Sequence, residues 1–217
     1  VKNPKITVIG STGLIGHQVL SLAAADESMD VTAITRREIS RLKDRAHIKQ
    51  VIHNFEPLDD LQGALTTDVF VCCLGTTIKT AGSRERFYAV DHDIPLTLAK
   101  LAKERGCGNM ILVSSVGADA SSKIFYSRVK GELEADLIKL DFGSLHILRP
   151  SMLLGERQES RPGEFVGKLI MEPLSALIPW KYKPIQAQVL ASKIVQLCTE
   201  NRPGVFIHEG KPLFSVE

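Results

Sequence analysis

A doubly wound α/β fold, in which a parallel sheet is covered by helices on both faces, is what this sequence predicts, and three observations carry the prediction. Short β-branched runs alternate with segments of helical period along the 217 residues. The inner runs are continuously apolar instead of alternating, as strands buried on both faces must be. A cluster of glycines separates the first run from the first helix.

Taken in order, a strand is expected at 5–10 (KITVIG), then a helix at 14–25, where Leu14, Val19 and Leu22 keep helical spacing. Strands follow at 31–36, 48–55 and 68–75, with a short helix near LDDLQGAL between the last two. Two more continuous apolar strands are read at 109–115 and 144–150. Between and after them, helical period appears at 93–104, at 125–140 through Val129, Leu133 and Leu137, and at 187–199. A last strand near GVFIHE closes the sheet. Residues 155–184 break the rhythm with Pro162, Pro173, Pro179 and Pro184, and hold the lone tryptophan. They are read as an irregular cap on the substrate side of a single domain spanning 1–217, with Trp180 and Tyr182 packing that cap or walling the substrate.

Composition narrows the partners. The 27 basic and 25 acidic residues nearly cancel, leaving no electrostatic footprint for nucleic acid or an anionic membrane surface. Cys72, Cys73, Cys107 and Cys198 lack metal spacing and are read as core residues of a reducing compartment, taken as cytoplasmic. The uncharged stretch 6–25 has the outline of a signal peptide, but Gly10, Gly13, Gly16, His17 and Gln18 interrupt it. The six histidines never recur at zinc spacing, so no metal is expected, and Asp91-His92-Asp93 is read as a helix start.

Three motifs carry chemistry. Gly10-Ser11-Thr12-Gly13-Leu14-Ile15-Gly16 follows the first strand and opens the first helix, the setting of a dinucleotide fingerprint. In it Gly10 permits the turn, Gly13 the approach of a pyrophosphate, and Gly16 close packing of helix on strand, while the helix start binds the anion. The second strand ends in Arg36 and Arg37 where an NAD site usually has an acid for the ribose diol, which favours the 2'-phosphate of NADP. The plainer alternative is two solvated arginines, with Glu38 as a weak diol binder. Finally Ser115 ends the fifth strand, and Tyr126 and Lys130 stand four residues apart on one helical face. Such a tyrosine can protonate a carbonyl oxygen beside a lysine ammonium while the serine holds that oxygen. The alternative is an amphipathic surface helix with a half-buried tyrosine.

With those residues in view, the chain resembles the short-chain dehydrogenase/reductase superfamily in its atypical single-domain branch. More narrowly, CCLGTT (72–77), SSVGAD (114–119), YSRVKGELEA (126–135) and RQESRPGE (157–164) are similar to the Tat-interacting oxidoreductase family of NADPH-binding proteins. The resemblance implies that Ser11, Thr12, Leu14 and Ile15 wrap the pyrophosphate, that Arg36 and Arg37 take the 2'-phosphate, and that Asn54 and Phe55 flank adenine. It further implies that Cys73, Leu74, Gly75, Thr76 and Thr77 line the cofactor, and that Ser115, Tyr126 and Lys130 are catalytic. Two departures from the resemblance are read: 217 residues are not expected to include the larger C-terminal substrate domain of sugar-nucleotide epimerases, and no counterpart of the human relative's N-terminal segment is expected before the first strand.

The expected function is reduction of a small carbonyl substrate by NADPH. An NADPH-binding redox sensor or protein-interaction module is the second reading, and a sugar-nucleotide epimerase or dehydratase the third. A homodimer or a protein partner is expected for the second. Arg157, Glu159 and Arg161, after the sixth strand, are expected to clamp an anionic substrate group or to form an interface.

Overall fold

The computed structural model describes residues 3–155, 179–200 and 202–215. Seven strands form one parallel sheet: β1 (Lys5–Ile9), β2 (Asp30–Thr35), β3 (Ile48–Ile52), β4 (Val69–Cys72), β5 (Asn109–Val113), β6 (Ser144–Arg149) and β9 (Gly204–Glu209). Their order is β3-β2-β1-β4-β5-β6-β9, so the chain starts mid-sheet, winds outward one way, then crosses over and winds the other. Every neighbouring pair is parallel, with Ile6 opposite both Val31 and Val69.

The continuous apolar runs are explained by two cores, one on each face. Ile6 and Val8 of β1, Val69 and Val71 of β4 and Ile111 of β5 pack under α1 (Leu14–Ala25) and a late helix, which we label α6 (Ala187–Thr199). Ile9, Phe70, Cys72, Met110 and Leu112 point the other way, under α4 (Ile94–Glu104) and α5 (Phe125–Lys139). The period of two is intact, but both phases are apolar because both faces are covered. The stretch with a signal-peptide outline is β1, a turn and α1. No helix among the described residues is long and apolar enough to cross a membrane.

The expected strands and the four long helices are present, with small corrections at their ends. The segment LDDLQGAL forms a 3-10 helix over Leu58–Leu65. Two short helices have no counterpart in the sequence pattern: α2 (Ile78–Ala81) and α3 (Arg84–Tyr88). The expected helix start at Asp91–Asp93 is instead part of a π-helical turn over Ala89–Asp93 that joins α3 to α4. The cap expected over 155–184 falls mostly outside the described residues. Its described flanks are pinned: β7 (Leu153–Leu154) pairs with β8 (Ile185–Gln186), and Ser151 Oγ donates to Lys183 O at 2.6 Å.

Candidate cofactor and catalytic site

The connections after β1, β2, β4 and β5 leave the same C-terminal edge of the sheet, where open α/β folds bind ligands. Gly10 has φ +76°, and a Cβ there would lie 2.4 Å from the carbonyl carbon of Cys73. The loops after β1 and β4 therefore touch backbone to backbone. A Cβ on Gly16 would lie 2.3 Å from Gly10 O, so α1 begins directly against the turn. That helix opens at Gly13 with no side-chain cap and no acidic residue in its first turn. Its first N–H groups and the positive end of its dipole are left for an anion, and the cradle fits a dinucleotide pyrophosphate.

The fingerprint residues divide between wall and cradle. Ser11 is 1% exposed and its hydroxyl donates to Val8 O at 3.1 Å, so its side chain faces the protein and only its main chain is left toward a ligand. Ile15 likewise spends its side chain in the core, while Thr12 and Gly13 are exposed and Leu14 is half-buried. Arg36 and Arg37 stand exposed at the end of β2 without an ion-pair partner among the described residues, as does Glu38. Thr35 Oγ1 donates to Arg37 O at 3.0 Å and fixes their turn.

Asn54 is exposed, its Oδ1 accepting from Glu56 N at 3.1 Å. Phe55 adopts φ +69°, packs partly on the α4-side core and meets His53 edge-on at 6.3 Å. After β4, Cys73 and Leu74 pack on opposite cores, and burial pushes the Cys73 thiol well above the usual range, which makes it an inert wall. Gly75 is exposed, Thr77 caps α2 by accepting from Thr80 N at 3.1 Å, and Thr76 N donates to Asp91 Oδ2 at 2.8 Å.

Helix α5 carries the expected tyrosine and lysine. Tyr126, in its first turn, is 36% exposed, and its ring lies 5.8 Å from that of the buried Phe87. Lys130, one turn on, is 4% exposed and its Nζ lies 2.7 Å from Oδ1 of the fully buried Asp91. Burial opposes the ammonium, but Asp91 and then Tyr126 outweigh it and hold the Lys130 pKa above the ordinary lysine value. A Cβ on Gly75 would come within 3.3 Å of Asp91 Oδ1 and 3.5 Å of Lys130 Nζ, so the pair sits against the loop after β4.

Ser115 is half-buried, with only a long 3.4 Å contact from Oγ to Val116 O. Its neighbour Ser114 donates to Glu134 Oε1, and Glu134, buried on α5, grips Arg149 of β6 through both oxygens at 2.5–3.1 Å. The structure thus brings Ser115, Tyr126 and Lys130 to the edge that holds the glycine turn. Arg157, Glu159 and Arg161 lie outside the described residues. Among the described residues no group of three His, Cys, Asp or Glu side chains is placed to hold a metal.

Sequence reasoning missed Asp91 and Glu134. A signal existed for the first: Asp91 stands seven residues before Leu98, and Lys130 three before Leu133, so opposite charges occupy apolar phases of two helical segments.

Residues 35–183 match the HIM1 family. The chain belongs to the HIM1 family. Its fold is that of the atypical short-chain dehydrogenase/reductases, in agreement with the resemblance read from the motifs. The mitochondrial protein FMP52 of Eremothecium gossypii is 38% identical over 170 residues, covering 75% of each chain. Protein HTATIP2 of Rattus norvegicus is 40% identical over 172 residues, 77% of this chain and 70% of the rat protein. Among solved structures, the Bordetella bronchiseptica enzyme WbmH in complex with NAD+ superposes with a TM-score of 0.71 at 16% identity, over 95% of this chain and 75% of that one. One expectation is overturned: the FMP52 relative carries a mitochondrial name, so cysteines without metal spacing are no warrant for a cytoplasmic location.

Proposed function

We propose that this HIM1-family chain is an NADPH-dependent oxidoreductase that reduces a small carbonyl substrate. The ion pair of Lys130 with Asp91 carries the reading, because it sets the α5 ammonium against the Gly75–Thr76 loop, beside the cradle of Gly10 and the open first turn of α1. The first-turn amides of α1 hold the pyrophosphate and the free guanidiniums of Arg36 and Arg37 take the 2'-phosphate. NADPH, when bound, supplies the hydride. Tyr126 gives its hydroxyl proton to the carbonyl oxygen as that oxygen gains electrons, and the Ser115 hydroxyl donates a hydrogen bond to the same atom. Lys130 holds a positive charge beside the tyrosine and donates to cofactor hydroxyls. The NAD+ complex of WbmH supports a nicotinamide dinucleotide, and the name of the FMP52 relative supports a mitochondrial setting.

The test is a screen of NADPH oxidation across aldehydes, ketones and quinones, followed by Tyr126→Phe on whatever is turned over. The variant should lose about 100-fold or more in kcat while its NADPH affinity stays within about twofold. An unchanged kcat refutes the role of Tyr126. A second reading, an NADPH-responsive interaction module, draws on the terminal strand β9, where Val205 is 47% and Ile207 49% exposed. Cofactor binding with no oxidation in the screen, together with NADPH-dependent self-association, would favour it.

A further inference from the structure

Asp91 has no part in the reading from motifs, yet it is the most completely buried charge in the described chain, at 0% exposure. It is delivered there by a π-helical turn, a rare geometry that concentrates at functional sites. Its two oxygens are shared out: Oδ1 meets Lys130 Nζ at 2.7 Å and Oδ2 accepts from Thr76 N at 2.8 Å. One carboxylate thus joins the helix that carries Tyr126 to the loop that follows β4. We propose that Asp91 is a positioning residue that keeps Lys130 both charged and pointed at the cofactor edge. The proposal rests on the cofactor site described above.

The physical argument is one of burial. A lysine this deep in the protein loses its proton easily unless an anion sits beside it. The groups facing Lys130 are Asp91 from the π turn, Tyr126 from its own helix and the Cys72 thiol from β4, which burial pushes up to about 11. Of these, only Asp91 is a carboxylate. Asparagine in its place keeps an acceptor for Thr76 N but removes the charge, so the Lys130 ammonium should titrate below its usual range.

The measurement is the Kd for NADPH, followed by cofactor fluorescence from pH 7 to 9.5, in the unmutated chain, Asp91→Asn, Lys130→Met and the double variant. In the unmutated chain Lys130 stays protonated and contributes no slope. In Asp91→Asn the affinity should weaken with rising pH, by about fivefold or more across the range, as the ammonium is lost. Lys130→Met should be weaker throughout but parallel to the unmutated profile, and the double variant should match it. An Asp91→Asn profile that is merely offset and parallel overturns the proposal, because a purely structural role predicts that. If Lys130→Met binds NADPH like the unmutated chain, the cofactor reading itself fails, a distinct result. Should Asp91→Asn fold poorly, the double variant must melt higher than it, since removing both charges relieves the buried one; a lower melting point also overturns the pairing.

Discussion

Replacing Gly131 by alanine should destabilise the protein, although helix propensity alone argues the reverse. Gly131 follows Lys130 on α5, and a Cβ there would lie 2.2 Å from both the amide nitrogen of Ala120 and the carbonyl carbon of Asp119. Non-bonded atoms rest at about 3.5 Å, so helix and loop must separate by roughly 1 Å. Both obstacles are main chain and cannot rotate aside. Overpacking of this kind costs about 1–3 kcal/mol, against a gain of about 0.5–1 kcal/mol from Gly to Ala in a helix. The net loss, up to about 2.5 kcal/mol, corresponds to a fall in Tm of up to about 10 °C for a chain of this size. The displacement also pulls Lys130 away from Asp91, now 2.7 Å off, and an error on the order of 1 Å at a reacting group can cost about 100-fold in rate. Thermal unfolding followed by circular dichroism, with an NADPH titration, reads both effects. Gly63→Ala is the control, because nothing lies within 4 Å of its Cβ. A Gly131→Ala protein that melts at or above the unmutated temperature would show that α5 has slack, and the close-packing argument would be wrong.

Two further outcomes follow from exposed and buried charge. Arg36→Ala with Arg37→Ala should remove the preference for NADPH over NADH, since a hydrogen bond from a guanidinium to a phosphate is worth about 1.5–3 kcal/mol; equal affinity of the unmutated chain for both cofactors would remove the phosphate role. At the other end of the sheet, Ser144 Oγ meets His146 Nε2 and His146 Nδ1 meets His208 Nε2, each at 3.0 Å. Burial and then the neighbouring His146 push the His208 pKa down to about 4, and burial lowers that of His146, with Glu200, Lys193 and Arg202 also acting on the pair. The unfolded chain binds more protons than the folded one between about pH 6.5 and 4, so stability present above pH 6.5 should drain away as pH falls through that window. His208→Asn should flatten the decline in Tm; an identical slope in the variant would clear His208 of the effect.

The fold is legible because its signals are local and redundant. The run VFVC in β4 is apolar in both phases, and the helices α1 and α6 repeat apolar residues at helical spacing with boundaries that punctuation marks. Residues 76–93 resist reading for the opposite reason. Two helices of four and five residues and a π turn are too short to show a period, and their boundaries rest on capping by Thr77 and Ser83 and on a left-handed Gly82.

The site divides along the same line. Gly10, Gly16, Tyr126 and Lys130 can be found from sequence because backbone clearance and four-residue spacing act over short stretches of chain. What the motif cannot disclose is the electrostatic partner of its own lysine. Asp91 and Lys130 are 39 positions apart, and they meet only because α3, the π turn and α4 pack along α5, with His92 Nε2 against Asp136 at 3.2 Å and Phe87 against Phe125 and Tyr126. Burial then turns that meeting into chemistry. In water an ion pair is worth little, and Lys130 would be charged with or without a partner. At 4% exposure a neighbouring anion favours the ammonium strongly, so the charge of Lys130 leans on a residue outside every motif read from the sequence.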